Sequence, residues 1–190
     1  VSGVATFTNL IYTATADQES FTLSADDVSG GAEGDLPSAG AGAVTSDVVT
    51  TQLVFTTQPA GSVSGVALTT QPVVTARDAQ GNTDVGFSDT VTLTEGSAGS
   101  LSNNSVSAVS GVATFTNLIY TAATDQESFT LSADDVSGGA EGDLPSVGAG
   151  VVTSDVVATQ LVFTTQPAPL NAVSGSVLDF STDPVVEAQN

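Results

Sequence analysis

The chain has 190 residues and a formal net charge of −20, because 21 aspartates and glutamates stand against a single basic residue, Arg77. Binding to nucleic acid or to an anionic membrane surface requires many lysines and arginines, so the composition excludes both as direct partners. The chain also contains no histidine, cysteine, methionine or tryptophan. These absences remove the usual general base, the nucleophilic thiol and the soft metal ligands, and with them most classes of enzyme.

The balance of apolar and charged residues indicates a folded protein. A high net charge with few aromatic residues is typical of disordered chains. Here, however, apolar residues make up 40% of the chain and charged residues only 12%. The chain therefore has enough apolar surface to bury on folding.

A long internal repeat is the strongest feature of the sequence. Residues 1–60 return as residues 109–168 and differ only at positions 15, 16, 39, 43 and 50, which gives a repeat period of 108 residues. This period is too long for one turn of a solenoid and suits a small domain. We therefore predict a tandem array with boundaries near Thr50 and Ala158. Its parts are the end of one domain (1–49), a complete domain (50–157) and the start of the next (158–190).

Six segments rich in Val, Thr and Phe follow one another in the complete domain. Many alternate apolar with polar side chains, as half-buried strands do. Turn residues separate them, and no segment has a convincing 3.6-residue apolar period. The pattern predicts an all-β fold of tandem immunoglobulin-like β-sandwich domains, without the cysteine pair and tryptophan of antibody domains. The predicted strands are Gln52–Thr57, Pro72–Asp78, Asp89–Thr94, Val109–Asn117, Glu127–Ala133 and Ala149–Val157.

Ten apolar side chains on these strands are expected to face the core. Tyr12 and its repeat counterpart Tyr120 are interpreted as buried rings with the hydroxyl at the sandwich edge, and exposed adhesive aromatics are the alternative. The ten predicted core residues are Leu53, Phe55, Val74, Ala76, Val91, Leu93, Ala113, Phe115, Phe129 and Leu131.

Parts of the complete domain resemble a known family. PVVTARDAQGN, from Pro72, is similar to the second strand and Asp-x-x-Gly-Asn turn of the bacterial Ig-like modules repeated in giant surface proteins, adhesins and invasin or intimin stalks. SGVATF and ESFTLSA resemble the late strands of these modules. The resemblance implies an exported, extracellular or cell-surface protein whose domains act as spacer, adhesive surface or filament subunit. It implies no catalytic residue.

The turn after the second predicted strand carries candidate metal ligands. Asp78, Asn82 and Asp84 lie within DAQGNTD and could offer three oxygen ligands to calcium. The alternative is that these residues make the turn itself, with Gly81 supplying a positive φ. The full 12-residue calcium loop with its closing glutamate is absent, which favours the turn interpretation.

A second acidic cluster lies on a glycine-rich loop and occurs in both copies of the repeat. Loops of this kind can fold around an ion, and calcium would neutralise the concentrated negative charge. Plain solvation of the carboxylates is the alternative. The candidate ligands are Asp134, Asp135, Glu141 and Asp143 in the complete domain, with Asp26, Asp27, Glu33 and Asp35 as their counterparts.

Paired carboxylates can also catalyse glycoside hydrolysis, and Asp134 and Asp135 are the candidate acid and base for it. Neighbours on a strand point to opposite faces, and no aromatic platform for a sugar accompanies them. We therefore predict that the chain is not an enzyme.

We expect a structural function, in which tandem Ig-like repeats form a stalk or the body of an extracellular filament. The expected partners are neighbouring identical repeats or copies of the same chain. The alternative is a calcium-stiffened adhesin repeat that supports or provides binding to a carbohydrate or a surface. No cofactor is expected to be required, and calcium is the candidate ion.

The incomplete domains at both ends predict that these residues are a window from a longer chain. Each part would leave an apolar sheet face and unpaired edges in water. The alternative is strand exchange, in which the tail of one copy completes the head of the next. The two parts together lack a counterpart of residues 79–108, which include the DTVTLT strand. A window is therefore the favoured expectation.

Overall fold

A computed structural model describes residues 3–27, 34–135, 139, 142–168, 175 and 182–190. This part of the chain is all-β and contains no helix. Accordingly, no helix among the described residues is long and apolar enough to cross a membrane. The all-β class predicted from the alternating strands is confirmed.

Seventeen strands, most of them short, follow one another in the described residues. The first segment contains β1 (Glu19–Phe21), β2 (Ser24–Ala25), β3 (Ala39–Gly40) and β4 (Val44–Ser46). The central unit contains β5 (Gln52–Thr57), β6 (Ser62–Val63), β7 (Val66–Ala67), β8 (Val73–Arg77), β9 (Thr90–Glu95), β10 (Ser100–Ser102), β11 (Ser105–Ser107), β12 (Val112–Thr114), β13 (Ile119–Thr121), β14 (Glu127–Asp134) and β15 (Val147–Asp155). The last segment contains β16 (Gln160–Thr165) and β17 (Val185–Gln189).

The strands of the central unit form three sheets. One has the order β12-β8-β5, a second has five strands in the order β11-β9-β14-β15-β6, and a third has the order β10-β13-β7. All pairs are antiparallel except β15 with β6, which is parallel. Apolar side chains from all three sheets meet in one core. This arrangement is compatible with a β-sandwich.

The core of the central unit is the one predicted from the alternation. All ten predicted core residues are buried. Phe87, Leu118 and Tyr120 add large, fully buried side chains that the strand pattern did not include. All residues of the cluster lie between Leu53 and Val152. Because the strands of this unit bury one face against this cluster, the sequence pattern predicted their buried residues correctly.

The strand bounds differ from the prediction most between residues 109 and 117. Only Val112–Thr114 forms a strand there, because Ser110 and Gly111 adopt positive φ values of 50° and 78° and turn the chain just before it. A Cβ at residue 111 would also collide with the carbonyl oxygen of Asp84. Glycine is therefore required at this close approach for two reasons.

The same sequence has very different surroundings in the first and last segments. Phe7 and Leu10 are exposed, although their counterparts Phe115 and Leu118 are buried in the central unit. On β16, Leu161 and Phe163 are likewise exposed, whereas the corresponding residues of β5 are buried. These apolar side chains are therefore exposed in the outer segments, whereas their counterparts in the central unit are buried by the strands of that unit.

We expect residues 50–157 to fold as an independent all-β domain, because the apolar core lies entirely within them. Far-UV circular dichroism of this fragment should show a β spectrum. Thermal unfolding should be cooperative, with a midpoint close to the main transition of the 190-residue chain. A substantial helical signal, or unfolding without a cooperative transition, would contradict the expectation.

Candidate functional site

The DAQGNTD turn is held together by its own side chains. Asp78 Oδ1 accepts hydrogen bonds from the backbone N–H groups of Gln80 (3.0 Å) and Asn82 (2.8 Å), and Asp78 Oδ2 accepts one from Asn82 Nδ2 (3.0 Å). Burial raises the pKa of Asp78, but these hydrogen bonds outweigh it and hold the pKa below its usual value. The carboxylate is therefore ionised at neutral pH and bonded within the turn.

Asp84 is buried and directed away from the Asp78–Asn82 pair, toward the start of the unit. Its Oδ2 accepts hydrogen bonds from the backbone N–H of Thr50 (3.1 Å) and the Thr50 hydroxyl (2.8 Å). Its Oδ1 accepts hydrogen bonds from the N–H groups of Gly86 (2.8 Å) and Phe87 (3.1 Å). The turn thus brings Asp78 and Asn82 together, while the Asp84 carboxylate accepts four hydrogen bonds from other residues. A calcium site formed by all three residues stays a prediction.

The glycine-rich loop after β14 brings three of its predicted ligands together. One carboxylate oxygen from each of Asp134, Asp135 and Asp143 lies within 4.8 Å of the others. Asp134 is the last residue of β14, Asp135 follows it into the loop, and Asp143 precedes the buried Leu144. Glu141 lies outside the described residues.

Asp135 has the most unusual environment of the three. Its side chain is 0% exposed. Its Oδ1 accepts a hydrogen bond from the N–H of Leu144 (3.0 Å), whereas its Oδ2 is buried and has no hydrogen-bond partner among the described residues. Burial raises the pKa of Asp135, and the negative charges of Asp143 and Asp134 raise it further, while the Leu144 bond acts in the opposite direction. The loop therefore concentrates negative charge at a buried carboxylate.

The counterpart cluster in the first repeat has the same arrangement but is more exposed. Carboxylate oxygens of Asp26, Asp27 and Asp35 lie within 4.8 Å of one another. Asp27 accepts a hydrogen bond from the N–H of Leu36 (2.8 Å), as Asp135 does from Leu144, but Asp27 is only half-buried. Glu33 lies outside the described residues. The local sequence alone is thus enough to gather the three carboxylates.

Asp89 also lies against the glycine-rich loop of the central unit, and sequence reasoning did not identify it. Its carboxylate occupies the space that a Cβ at residue 139 would fill, and its Oδ2 is buried with no partner for a hydrogen bond in the part of the chain that the structure describes. Asp89 precedes β9, which pairs with β14. The contact joins residues 50 positions apart, so no local pattern could have indicated it.

Asp17 is a second residue that the sequence did not single out, and it links the first segment to the central unit. Its Oδ1 accepts hydrogen bonds from the N–H groups of Gln18 (2.7 Å) and Val48 (2.8 Å), and its Oδ2 accepts one from Val85 (2.8 Å). Burial raises the pKa of Asp17, but these hydrogen bonds outweigh it and lower the pKa below its usual value. The ionised carboxylate therefore receives donors from both sides of the boundary near Thr50.

A second hydrogen bond crosses the same boundary, from Asn82 Nδ2 to the carbonyl oxygen of Ala14 (3.3 Å). Near the second boundary, Asp125 repeats the arrangement of Asp17. It accepts hydrogen bonds from the N–H groups of Gln126 (2.9 Å) and Val156 (2.9 Å), which correspond to the Gln18 and Val48 bonds. The bonds that Asp17 makes within its own segment therefore recur one repeat later.

The interpretation as a buried ring is confirmed for Tyr120 and is wrong for Tyr12. Tyr120 is fully buried, stacks on Phe129 with ring centroids 3.8 Å apart, and hydrogen-bonds through its hydroxyl to Ser97 Oγ (2.7 Å). Tyr12 stacks in the same way on Phe21 at 3.7 Å, but its side chain is exposed. The tyrosine in the complete unit is thus a core residue.

No known protein family matches the chain, and no curated protein matches it in sequence. The similarity of PVVTARDAQGN to bacterial Ig-like modules therefore stays a prediction from those residues.

Proposed function

We propose that the chain is a structural tandem-repeat module of a large bacterial surface protein, in which Ig-like domains form a stalk or the body of an extracellular filament. The observation that carries the proposal is the boundary at Asp17. One carboxylate there accepts N–H groups from its own segment and from Val85 of the next unit. A boundary bridged by charge-assisted hydrogen bonds resists bending better than a flexible linker does.

The recurrence of the bonds that Asp17 makes within its own segment supports the same function. Asp125, Gln126 and Val156 form, one repeat later, the bonds that Asp17, Gln18 and Val48 form at the first boundary. In an array built from such boundaries, each domain would have the same orientation relative to the next. The near identity of the two copies suits a part whose role is length and repeated contact with neighbouring repeats or copies of itself.

The acidic surface and the side-chain inventory are consistent with this role. The net charge of −20 would keep a long array soluble and resist unspecific association. The absence of histidine and cysteine removes the residues that most often serve as catalytic bases and nucleophiles. We therefore propose a non-enzymatic, extracellular role.

Replacing Asp17 by Asn should loosen the first boundary while leaving the central unit folded. An asparagine amide presents one oxygen where the carboxylate presents two, and it carries no charge, so the Val85 bond should be weakened or lost. Because the chain has no cysteine, two cysteines introduced at the exposed Ser20 and Ser102 can be spin-labelled cleanly. Pulsed electron resonance should then show a broader distance distribution in the D17N variant.

The matched control is Asp125→Asn, which makes the same chemical change at the counterpart residue. It should leave both the label distances across the first boundary and the protection of the Val85 amide against hydrogen exchange unchanged. A D17N chain with a distribution as narrow as that of the unaltered chain would contradict the stiff-boundary proposal. So would an unaltered chain whose distribution is already broad.

A further inference from the structure

The buried carboxylate of Asp135 has one oxygen that no described residue satisfies. Its side chain is 0% exposed, and its Oδ2 accepts no hydrogen bond from the part of the chain that the structure describes. A buried ionised oxygen without a donor destabilises the folded state, because burial removes its hydrogen bonds to water and no protein hydrogen bond replaces them. A buried water, a proton or a bound cation would satisfy it, and of these only a proton or a cation also offsets the negative charge of the site.

The neighbouring groups favour a cation over a proton. Oxygens of Asp134 and Asp143 lie within 4.8 Å of an Asp135 oxygen and of each other. Three carboxylates so close together repel one another unless a positive charge lies between them. The only basic side chain of the protein is that of Arg77, on β8, which belongs to a different sheet from β14. No lysine or second arginine exists to neutralise the cluster.

We propose that the loop after β14 binds a calcium ion between the carboxylates of Asp134, Asp135 and Asp143. Calcium–oxygen distances of about 2.3–2.6 Å place two ligands on opposite sides of one ion roughly 5 Å apart. The carboxylate oxygens lie within 4.8 Å of one another, which is compatible with that span. The site goes beyond the proposed structural role, since the array needs no ion to form its Asp17 boundary.

Asp89 strengthens the site from the adjacent strand connection. Its carboxylate lies against Gly139 of the same loop, and its Oδ2 is a second buried oxygen that accepts no hydrogen bond from any described residue. This fourth negative charge raises the attraction of the loop for a cation. The Asp89 carboxylate can approach the loop only because residue 139 is a glycine, since any side chain there would overlap with that carboxylate.

The choice of calcium follows from the ligands. All of them are carboxylate oxygens, which bind hard cations, and the chain has neither histidine nor cysteine for zinc or copper. Calcium accepts six to eight oxygens in flexible geometry, so three carboxylates leave positions that water can fill. Magnesium requires near-ideal octahedral geometry and gives up its water reluctantly, which suits a cluster of three carboxylates less well.

Thermal unfolding of the 190-residue chain with added CaCl2, compared with the chelated protein, tests the site. Extracellular calcium modules bind with dissociation constants of about 0.1–1 mM. Calcium about tenfold above that constant should therefore raise the midpoint of the main transition by roughly 5–10 °C. NaCl at matched ionic strength is the control for simple screening of the negative charge.

Two substitutions locate the effect. Asp135→Asn should abolish the rise in midpoint with calcium. In the presence of a chelator, this variant should unfold at the same temperature as the unaltered protein or at a higher one, because the substitution removes a buried charge that has no partner. Asp143→Asn alters an exposed side chain and should also abolish the response without disturbing the core. The matched control Asp27→Asn, at the more exposed counterpart of Asp135, should retain the rise.

Three results would overturn the proposal. The midpoint could fail to rise with calcium, or rise equally with NaCl. Alternatively, calcium could still stabilise both D135N and D143N. Isothermal titration with CaCl2 gives an independent readout, and heat of binding that survives in both variants would likewise place the ion elsewhere.

Discussion

Replacing Phe115 by alanine is expected to lower the free energy of unfolding of the central unit by about 3–5 kcal/mol, the usual cost of deleting a buried aromatic ring. Phe115 is 1% exposed and lies in the core cluster with Phe87, Leu118 and Phe129. Truncation leaves a cavity that a close-packed interior fills only in part. Urea is the suitable denaturant, because an ionic denaturant would also screen the net charge of −20.

The chain provides its own matched control for this experiment. Phe7 occupies the same position in the first repeat, within the identical sequence VATFTNL, but is 70% exposed. Phe7→Ala should therefore change the stability of the central unit by less than about 0.5 kcal/mol. Equal effects of the two substitutions would mean that residue 7 is covered in solution as residue 115 is, and the described exposure of the first segment would be wrong.

The core could be predicted from the sequence because its signal is local. On β9, Val91 and Leu93 alternate with threonines, so the pattern identified the buried face of that strand. On β5, Val54 lies between Leu53 and Phe55, but these two residues are two positions apart and therefore share the buried face. The short strands β10 and β11 carry no comparable signal. Each places a single apolar residue, Leu101 or Val106, between two serines, which reads equally well as a loop.

The acidic loop could be predicted for a similar reason, since Asp134, Asp135 and Asp143 are close in sequence and the loop between them is short. Asp17 and Asp89 could not. The bond from Val85 to Asp17 and the contact of Asp89 with Gly139 join residues far apart in the chain, and they depend on how separate turns meet. The recurrence of Asp17 as Asp125 was visible in the sequence, but identity of two copies does not distinguish a bridging residue from any other.

Replacing Asp84 by alanine is expected to destabilise the central unit by about 2–4 kcal/mol, because it leaves several buried donors without an acceptor. The Asp84 carboxylate accepts four hydrogen bonds, two of them from Thr50, and both residues are buried. Asp84 lies in the loop whose backbone packs against Gly111. Its loss should therefore disturb the start of β5 and the turn before β12 together.

A double-mutant cycle isolates the bond between the two side chains. Thr50→Val removes the hydroxyl that donates to Asp84 Oδ2 at 2.8 Å while keeping the shape of the side chain. Combined with Asp84→Asn, it should give a coupling energy of about 1–3 kcal/mol in urea unfolding, as expected for a buried hydrogen bond to a charged group. A coupling energy near zero would mean that the carboxylate does not depend on Thr50.

The same substitutions separate the two interpretations of the DAQGNTD turn. If Asp84 acts through Thr50, Gly86 and Phe87, the cost of Asp84→Ala is set by protein donors and should be the same with calcium and with a chelator. If Asp84 instead shares an ion with Asp78 and Asn82, that cost should shrink once calcium is removed, because the unaltered protein would lose its ligand as well. The four donors already bonded to Asp84 lead us to expect a calcium-independent loss, and measuring it in the Asp143→Asn background excludes any contribution from the loop after β14.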